Sequence, residues 1–232
     1  MNVSGENDMA LNIVEKIDGD VKIGHVLASV SDKSGLDVLI PGLVAANPDV
    51  KIYSTGGTYG AIEKILGDDA EKNLVAVSEY TGQPEMQGGL VKTLDFKIYL
   101  GLLSETYNES HQEDLVRVGG VQIDMIIVNL YPFQSTVAQD GVTPEMARTN
   151  IDIGGPCMIR ASAKNYLRVA SVTDPADYAG ILEEIRGGDA TLSLATRLEL
   201  MKKAFAHTAD YDGAIAEFFA KQVVGEIEEC YV

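Results

Sequence analysis

Cysteine, histidine and tryptophan are scarce in this sequence, and their scarcity excludes several kinds of site. The 232 residues include two cysteines, three histidines and no tryptophan. Cys157 and Cys230 stand far apart without metal-ligand spacing, so neither a disulfide framework nor a thiolate metal site is predicted. His25, His111 and His207 are equally scattered, and we interpret each as a structural histidine.

Basic residues are also in short supply. The chain has 18 Lys and Arg against 35 Asp and Glu, for a formal net charge of −17. This charge argues against nucleic acid or an anionic membrane as a partner. No apolar run approaches the roughly 20 residues that span a bilayer, and the acidic N-terminus lacks a signal-peptide pattern. We therefore expect a cytoplasmic protein, in which any phosphate ligand must be held by local cations and helix N-termini.

Short apolar segments alternate with helical patterns along most of the chain. This alternation predicts an α/β fold, a doubly wound and mostly parallel sheet with extra C-terminal helices, and ligands at the carboxyl ends of the strands. Residues 1–22 are predicted to form a peripheral leader, and residues 23–224 one domain. The predicted strands cover residues 26–31, 51–54, 74–77, 124–130 and 168–172.

Helical spacing of apolar residues fills the intervals between these strands. The first predicted helix is expected to break at Pro41 and Gly42, and the long last one to be divided at Asp210 or Gly213. The predicted helices cover residues 36–46, 59–66, 132–139, 143–149, 173–185 and 190–224.

Two early strand-to-helix turns carry groups that suit a phosphate. The first offers Ser29, Ser31 and Lys33, and the second offers the run from Thr55 through Gly56 and Gly57 to Thr58. Glycine backbone can approach an anion closely, although Gly and Thr also form purely structural turns. Neither turn has the Walker A or GxGxxG pattern, so neither a nucleoside triphosphate nor NAD is inferred.

The stretch from Asn150 to Asn165 places Asp152 just before Gly154, Gly155 and Pro156, ahead of a helix-compatible run that ends near Lys164. The first N–H groups of such a helix can bind an anion or oxyanion. The alternative is a capped structural helix with a surface lysine, and the pattern alone slightly favours it. The glycine-rich segment before Lys92 and Thr93 is interpreted either as a loop that covers a ligand or as a surface turn, and the pattern alone favours the turn.

In combination, these motifs resemble the IMP cyclohydrolase domain of the bifunctional purine-biosynthesis enzyme AICAR transformylase/IMP cyclohydrolase, within the methylglyoxal-synthase-like superfamily. The resemblance runs over most of the chain, from about Val26 to Phe219. The motifs are Ser29–Gly35, Ser54–Thr58, Val91–Leu94, Asn129–Phe133, Ile151–Gly155, Arg160–Asn165 and Ala204–Asp212.

The resemblance implies dehydrative ring closure of 5-formamidoimidazole-4-carboxamide ribotide to IMP, in a homodimer, without a cofactor or metal. It implies catalytic roles for Lys92, Tyr131, Asp152 and Lys164, with Asp152 assisting proton removal and the two lysines facing the formyl oxygen. How the two lysines divide this role stays open. The implied substrate-binding residues are Ser29, Ser31, Lys33, Thr55, Gly56, Gly57, Thr58, Thr93, Asn129, Gly154 and Gly155.

Two departures from the family pattern keep alternatives open. The family sequence Arg-Val-Lys-Thr-Leu-His-Pro is replaced here by residues 90–96, with Leu90, Asp95 and Phe96 at the changed positions. Asp95 is expected either to point outward or to pair with Lys92. The chain is also too short for the formyltransferase domain, so a separate formyltransferase is expected to supply the substrate. The rival readings are a methylglyoxal synthase-like lyase and a non-catalytic purine-ribotide sensor.

Overall fold

A five-stranded parallel sheet forms the centre of the computed structural model, which describes residues 13–83 and 92–231. The strands lie in the order β4-β3-β2-β5-β6. A separate antiparallel pair joins β1 to β7. The strands are β1 (Asp20–Lys22), β2 (His25–Val30), β3 (Lys51–Ser54), β4 (Leu74–Ala76), β5 (Met125–Asn129), β6 (Ala170–Val172) and β7 (Thr191–Ser193).

Helices cover both faces of this sheet, as the predicted doubly wound α/β class requires. Buried residues of α1, α2 and α10 form one core cluster, and those of α5, α9 and α11 form the other. The helices are α1 (Leu36–Ala46), α2 (Gly56–Leu66), α3 (Ala70–Asn73), α4 (Val77–Thr81), α5 (Phe96–Leu103), α6 (Glu109–Val118), α7 (Phe133–Val137), α8 (Pro144–Thr149), α9 (Gly154–Lys164), α10 (Tyr178–Gly187), α11 (Leu194–Phe219) and α12 (Val224–Glu228).

The predicted break in α1 is wrong, because the helix continues through Pro41. Gly42 explains why a small residue follows: a Cβ there would lie 2.4 Å from the Leu182 Cδ2 atom on α10. Gly42 therefore serves close helix packing within an unbroken helix. The predicted division of the last helix is also wrong, since α11 runs uninterrupted past Asp210 and Gly213.

Other helix and strand boundaries differ from the predicted ones, in part because strand pairing in the folded chain overrides the local sequence pattern. Residues 191–193, expected to be helical, form β7, and the supposed leader contributes β1, its antiparallel partner. Helix α2 begins at Gly56 rather than at Tyr59, which brings both glycines into its first turn. Within the described residues, none of the helices combines the length and apolarity that crossing a bilayer would take.

The strand order creates a cleft between β2 and β5. Chain connections leave β2 toward β3 on one side, whereas β5 lies on the other side. In open parallel sheets, such a switch point is where ligands bind, at the carboxyl ends of the strands. In this register Val30 lies opposite Asn129. The two predicted loops and the end of β5 therefore meet at one edge of the sheet.

Arg197 ties the β1–β7 pair to the rest of the fold. Its side chain is fully buried on α11. The guanidinium donates to the carbonyls of Asp18 and Gly19 before β1, to Leu192 in β7, and to residues 166 and 167 after α9. Because these carbonyls share one donor group, its loss would leave one buried and four partly buried acceptors without this partner.

We predict that Arg197→Ala lowers the free energy of unfolding by about 3 kcal/mol or more, as expected for an opened buried polar network. Urea unfolding measures the change. Arg186→Ala is the matched control, because Arg186 is an exposed arginine of α10, and we expect a change of at most about 0.5 kcal/mol. Equal effects in the two variants would contradict the structural role of Arg197.

Candidate active site

A cavity of about 570 Å³ opens at the carboxyl ends of β2, β3 and β5. Its volume falls within the usual range for small-molecule sites. It contains every residue predicted for the site except Lys164. The lining residues are Ser29, Val30, Ser31, Lys33, Thr55, Gly56, Gly57, Thr58, Lys92, Thr93, Leu94, Asn129, Tyr131, Thr149, Asn150, Ile151, Asp152, Ile153, Gly154, Gly155 and Met158.

Asn129 holds the loop between β2 and α1. Its carboxamide oxygen accepts the backbone N–H groups of Ser31 at 2.7 Å and Asp32 at 2.9 Å. Its amide nitrogen donates to the Asp32 carbonyl at 2.8 Å. The carboxamide oxygen thus holds the backbone of this loop, so Asn129, which was predicted to bind substrate, has a positioning role within the protein.

Thr58 has a similar positioning role at the second loop. Its buried hydroxyl accepts the Val30 N–H at 3.0 Å and donates to the Val30 carbonyl at 3.1 Å. These two bonds fix the start of α2 against the end of β2. The Thr58 hydroxyl is therefore occupied within the protein. From the same two loops, Ser29, Ser31 and Thr55 also bring hydroxyl groups to the cavity lining.

Two ammonium groups approach the N-terminus of α2. A Cβ on Gly56 would lie 3.0 Å from Nζ of Lys92, and one on Gly57 would lie 4.0 Å from Nζ of Lys33. Gly56 has φ of +49°, which disfavours any residue with a side chain. Helix N-termini carry unpaired N–H groups and a partial positive charge, so this corner of the cavity combines three cationic elements.

The lysines reach this corner by different routes. Lys33 folds back over its own loop, with Nζ 3.5 Å from the Val30 carbonyl and 3.4 Å from the Ser31 carbonyl. These are long contacts that an anion could replace. Lys92 had been predicted to face the formyl oxygen of a substrate, but its ammonium lies beside the start of α2. This position favours a role at an anionic group of the ligand.

Thr93 extends the Lys92 segment to the opposite wall. The residue is buried, and a Cβ on Gly154 would lie 2.7 Å from its Oγ1 atom. Gly154 is therefore required for close passage of this segment across the start of α9. Residues 92 and 93 thus extend from the cationic corner at α2 to the start of α9, next to the carboxylate described below.

Asp152 lies at the start of α9, in a fixed geometry. Its carboxylate accepts the Gly155 N–H at 2.9 Å, and its own backbone N–H donates to the Tyr211 hydroxyl at 2.7 Å. A Cβ on Gly155 would lie 2.5 Å from Oδ2 of Asp152 and 2.6 Å from Cδ2 of Leu130. Only glycine at 155 leaves room for this carboxylate.

Burial raises the pKa of Asp152, and the backbone N–H groups of Gly155 and Gly154 oppose that rise only in part. A carboxyl in such surroundings can take up and release a proton near the reacting groups of a ligand. The N-terminus of α9 was expected to bind an external anion. In the structure, the Gly155 N–H of its first turn instead donates to the Asp152 carboxylate.

Lys164 is not brought into this cavity. It lies exposed at the end of α9, ten residues beyond Gly154, which is about 15 Å along a helix. The expectation that Lys164 joins the other predicted residues is therefore not met within the fold of this chain. Its catalytic role stays a prediction from the resemblance.

Tyr131, in contrast, lines the cavity and is 55% exposed, so its hydroxyl is accessible to a ligand.

Asp95 takes up a structural role at the edge of the site. Its carboxylate caps α5 by accepting the Lys97 N–H at 2.8 Å, and the residue does not line the cavity. This agrees with the outward-pointing alternative. Leu90, the other changed position considered above, lies outside the described residues.

Sequence reasoning missed the contact of the Tyr211 hydroxyl with the backbone of Asp152. Tyr211 belongs to the quoted run Ala204–Asp212, yet a tyrosine on a mostly apolar helix face gives no sign that its hydroxyl reaches residues 150 and 152.

No metal site is found among the described residues. Their His, Cys, Asp and Glu side chains form no group of three that could hold a metal ion.

Comparisons with known proteins match two family models to consecutive parts of the chain. The MGS-like domain matches residues 39–157, and the AICARFT/IMPCHase bienzyme matches residues 162–231. A solved structure titled "Crystal structure of ForH" superposes with a TM-score of 0.73 at 31% identity, covering 85% of this chain and 97% of that one.

Several curated relatives bear the name "Bifunctional purine biosynthesis protein PurH". The protein from Magnetococcus marinus is 46% identical over 199 residues, which is 86% of this chain and 36% of the relative. Those from Sorangium cellulosum and Enterococcus faecalis are 47% and 45% identical, over 85% and 88% of this chain and 36% and 38% of the relatives. The chain therefore spans somewhat more than a third of the length of these relatives.

The raised pKa of Asp152 predicts a pH-dependent stability. The folded protein binds this proton more tightly than the unfolded chain, whose reference pKa is 3.8. The resulting stabilisation is complete below that value and is lost as pH rises through the folded pKa. The free energy of unfolding of the wild type should therefore fall over this range relative to Asp152→Asn, which does not titrate. Urea unfolding at a series of pH values tests this, and a constant or opposite difference would contradict it.

Proposed function

The chain belongs to the MGS-like domain family, and from this membership and the geometry of the cavity we propose that it is an IMP cyclohydrolase. The reaction closes 5-formamidoimidazole-4-carboxamide ribotide to IMP with loss of water. The observation that carries the proposal is a desolvated carboxyl, Asp152, lining the same cavity as the cationic corner at α2. The relatives named as purine biosynthesis proteins support the choice of substrate.

The cationic corner would hold the 5′-phosphate of the ribotide. Lys33, Lys92 and the first N–H groups of α2 supply positive charge at one place. This local charge is needed because the chain as a whole carries −17 and repels an anionic ligand. The base would then extend across the cavity toward Asp152 and Tyr131, on the wall formed by β5 and α9.

The chemistry requires a proton acceptor that can later act as a donor. The carboxamide nitrogen attacks the formyl carbon, and its proton passes to a base as the N–C bond forms. The formyl oxygen becomes a hydroxyl, and protonation lets it leave as water while the ring nitrogen gives up a proton. A carboxyl whose pKa is raised by burial suits both steps, and we assign them to Asp152.

Much of the rate enhancement would come from orientation. The two reacting groups are neighbours on one ring, so the enzyme must mainly hold the rotamer in which they meet. Thr93 lies against Gly154, at the start of α9 close to Asp152, and Tyr131 lines the same cavity. We assign to them the contacts with the base that keep this rotamer.

The proposal extends to partners and place. The substrate already carries its formyl group, so a formyltransferase activity must supply it. A homodimer belongs to the proposal because the resemblance implies it, and a cytoplasmic location belongs to it as the expectation from the sequence. The lyase and sensor alternatives are not favoured: the relatives bear a biosynthetic name, and the altered loop, the only support for a sensor, has Asp95 capping a helix off the cavity.

The direct test is turnover. The purified chain should convert the formamido ribotide to IMP, followed by ultraviolet absorbance, and should form none from the ribotide that lacks the formyl group. Asp152→Asn should lower kcat by about a hundredfold, the usual effect of losing a general base, while IMP still binds. Asp140→Asn, which changes an exposed aspartate between α7 and α8, is the control and should leave kcat unchanged. An inactive wild type would refute the proposal.

A second test concerns the phosphate corner. Lys33→Ala should weaken IMP binding by roughly 1.5–3 kcal/mol, the range for a lost charge-assisted hydrogen bond, as measured by titration calorimetry. Rising salt should weaken binding to the wild type. Lys64→Ala removes an exposed lysine from the far end of α2 and should leave affinity unchanged. Equal IMP affinity in Lys33→Ala and wild type would remove Lys33 from the phosphate site.

A further inference from the structure

The Tyr211 hydroxyl bridges the two backbone positions on either side of Ile151. It accepts the N–H of Asp152 at 2.7 Å and is placed to donate to the carbonyl of Asn150 at 3.4 Å. The tyrosine is buried, with its ring packed edge-on against Phe133 at 6.2 Å between centroids. We propose that Tyr211 is a positioning residue that fixes Asp152 for the ring closure, an inference that rests on the proposed function.

The segment that carries Asp152 needs such support. Residues 150–153 connect the end of α8 to the start of α9 without belonging to a helix or strand. The Asp152 N–H therefore has no partner from regular secondary structure. Tyr211 supplies that partner, whereas the Gly155 N–H binds the Asp152 carboxylate at 2.9 Å. The residue is thus held at its main chain and at its side chain by different groups.

The support comes from a distant part of the chain. Tyr211 lies 59 residues beyond Asp152, on α11, which packs on α9. This helix falls within the range matched by the AICARFT/IMPCHase bienzyme and beyond the range matched by the MGS-like domain. Asp152 itself falls within the MGS-like match. Helix α11 therefore does more than cover the sheet, because it contributes a polar group that sets the conformation of a site residue.

The competing interpretation is that Tyr211 only stabilises the fold. The chain offers a matched case for comparison, because the Tyr80 hydroxyl accepts the Val121 N–H at 3.0 Å, away from the cavity. Replacing either tyrosine by phenylalanine keeps the ring and removes one hydroxyl that accepts a backbone N–H. A difference in catalysis between the two variants then reports the position of the hydroxyl rather than the loss of a hydrogen bond.

We expect Tyr211→Phe to lower kcat at least tenfold while KM and IMP affinity stay within twofold of wild type. Tyr80→Phe should leave kcat within twofold, even where the two variants lose similar thermal stability. In an Asp152→Asn background, Tyr211→Phe should cause no further fall in kcat, since the residue that it positions no longer acts as a base. Equal falls of kcat in both backgrounds, or wild-type kcat in Tyr211→Phe, would overturn the inference.

A readout independent of activity separates this inference from the proposed function. The backbone amide of Asp152 should exchange slowly with solvent deuterium in the wild type and at least tenfold faster in Tyr211→Phe, as followed by NMR. If the wild type makes no IMP, the proposed function fails, and amide exchange still tests the contact. Should Tyr211→Phe not fold, an unprotected Asp152 amide in the wild type would overturn the inference, and a protected one would support it.

Discussion

The parallel pairing of β2 with β5 is the constraint on which the cavity depends. Its register sets Val30 opposite Asn129, and the Asn129 carboxamide then reaches the backbone of Ser31 and Asp32. A slip of one residue would turn Asn129 to the other face of the sheet and remove these bonds. Val30 in turn binds the Thr58 hydroxyl, so one strand pair orders both loops of the cationic corner. The site is thus a consequence of strand register before any ligand is present.

Positive charge is concentrated at one corner of the cavity of an otherwise acidic chain. The chain carries −17 overall, yet Lys33 and Lys92 converge on a helix N-terminus whose first residues are glycines. Gly56 has a positive φ, and side chains at either glycine would approach the ammonium groups. Short-range attraction at this corner can overcome a diffuse repulsion, because interactions among exposed charges beyond about 8 Å are largely screened at physiological salt.

Sequence patterns predicted the sheet and indicated the two loops after β2 and β3, because short apolar runs and Gly-Thr turns are local signals and parallel strands bring their ends to one edge. The pattern around Asp152 slightly favoured a structural helix, so it was the family resemblance that assigned Asp152, Lys92 and Tyr131 to the site. The predictions that were wrong concern features set by tertiary contacts. Packing of Gly42 on Leu182 decides that α1 does not break, and the pairing of β1 with β7 overrides helical spacing. The position of Lys164 followed from helix length, which a motif match does not weigh.

Asp152 shows how the site and the stability of the fold oppose each other. The fold buries a carboxyl and so disfavours its charged form, yet within the described residues no cation lowers its pKa by pairing with it. In that part of the chain, the backbone N–H groups of Gly155 and Gly154 partly offset the desolvation. A cation beside Asp152 would lower its pKa and stabilise the folded protein, but it would also weaken the carboxyl as a base. Holding the residue through neutral groups, the Tyr211 hydroxyl and the Gly155 N–H, fixes its position while leaving its basicity high. This explains in physical terms why the lysines gather at α2, on the other side of the Thr93 segment, and why a tyrosine rather than an arginine reaches this turn from α11.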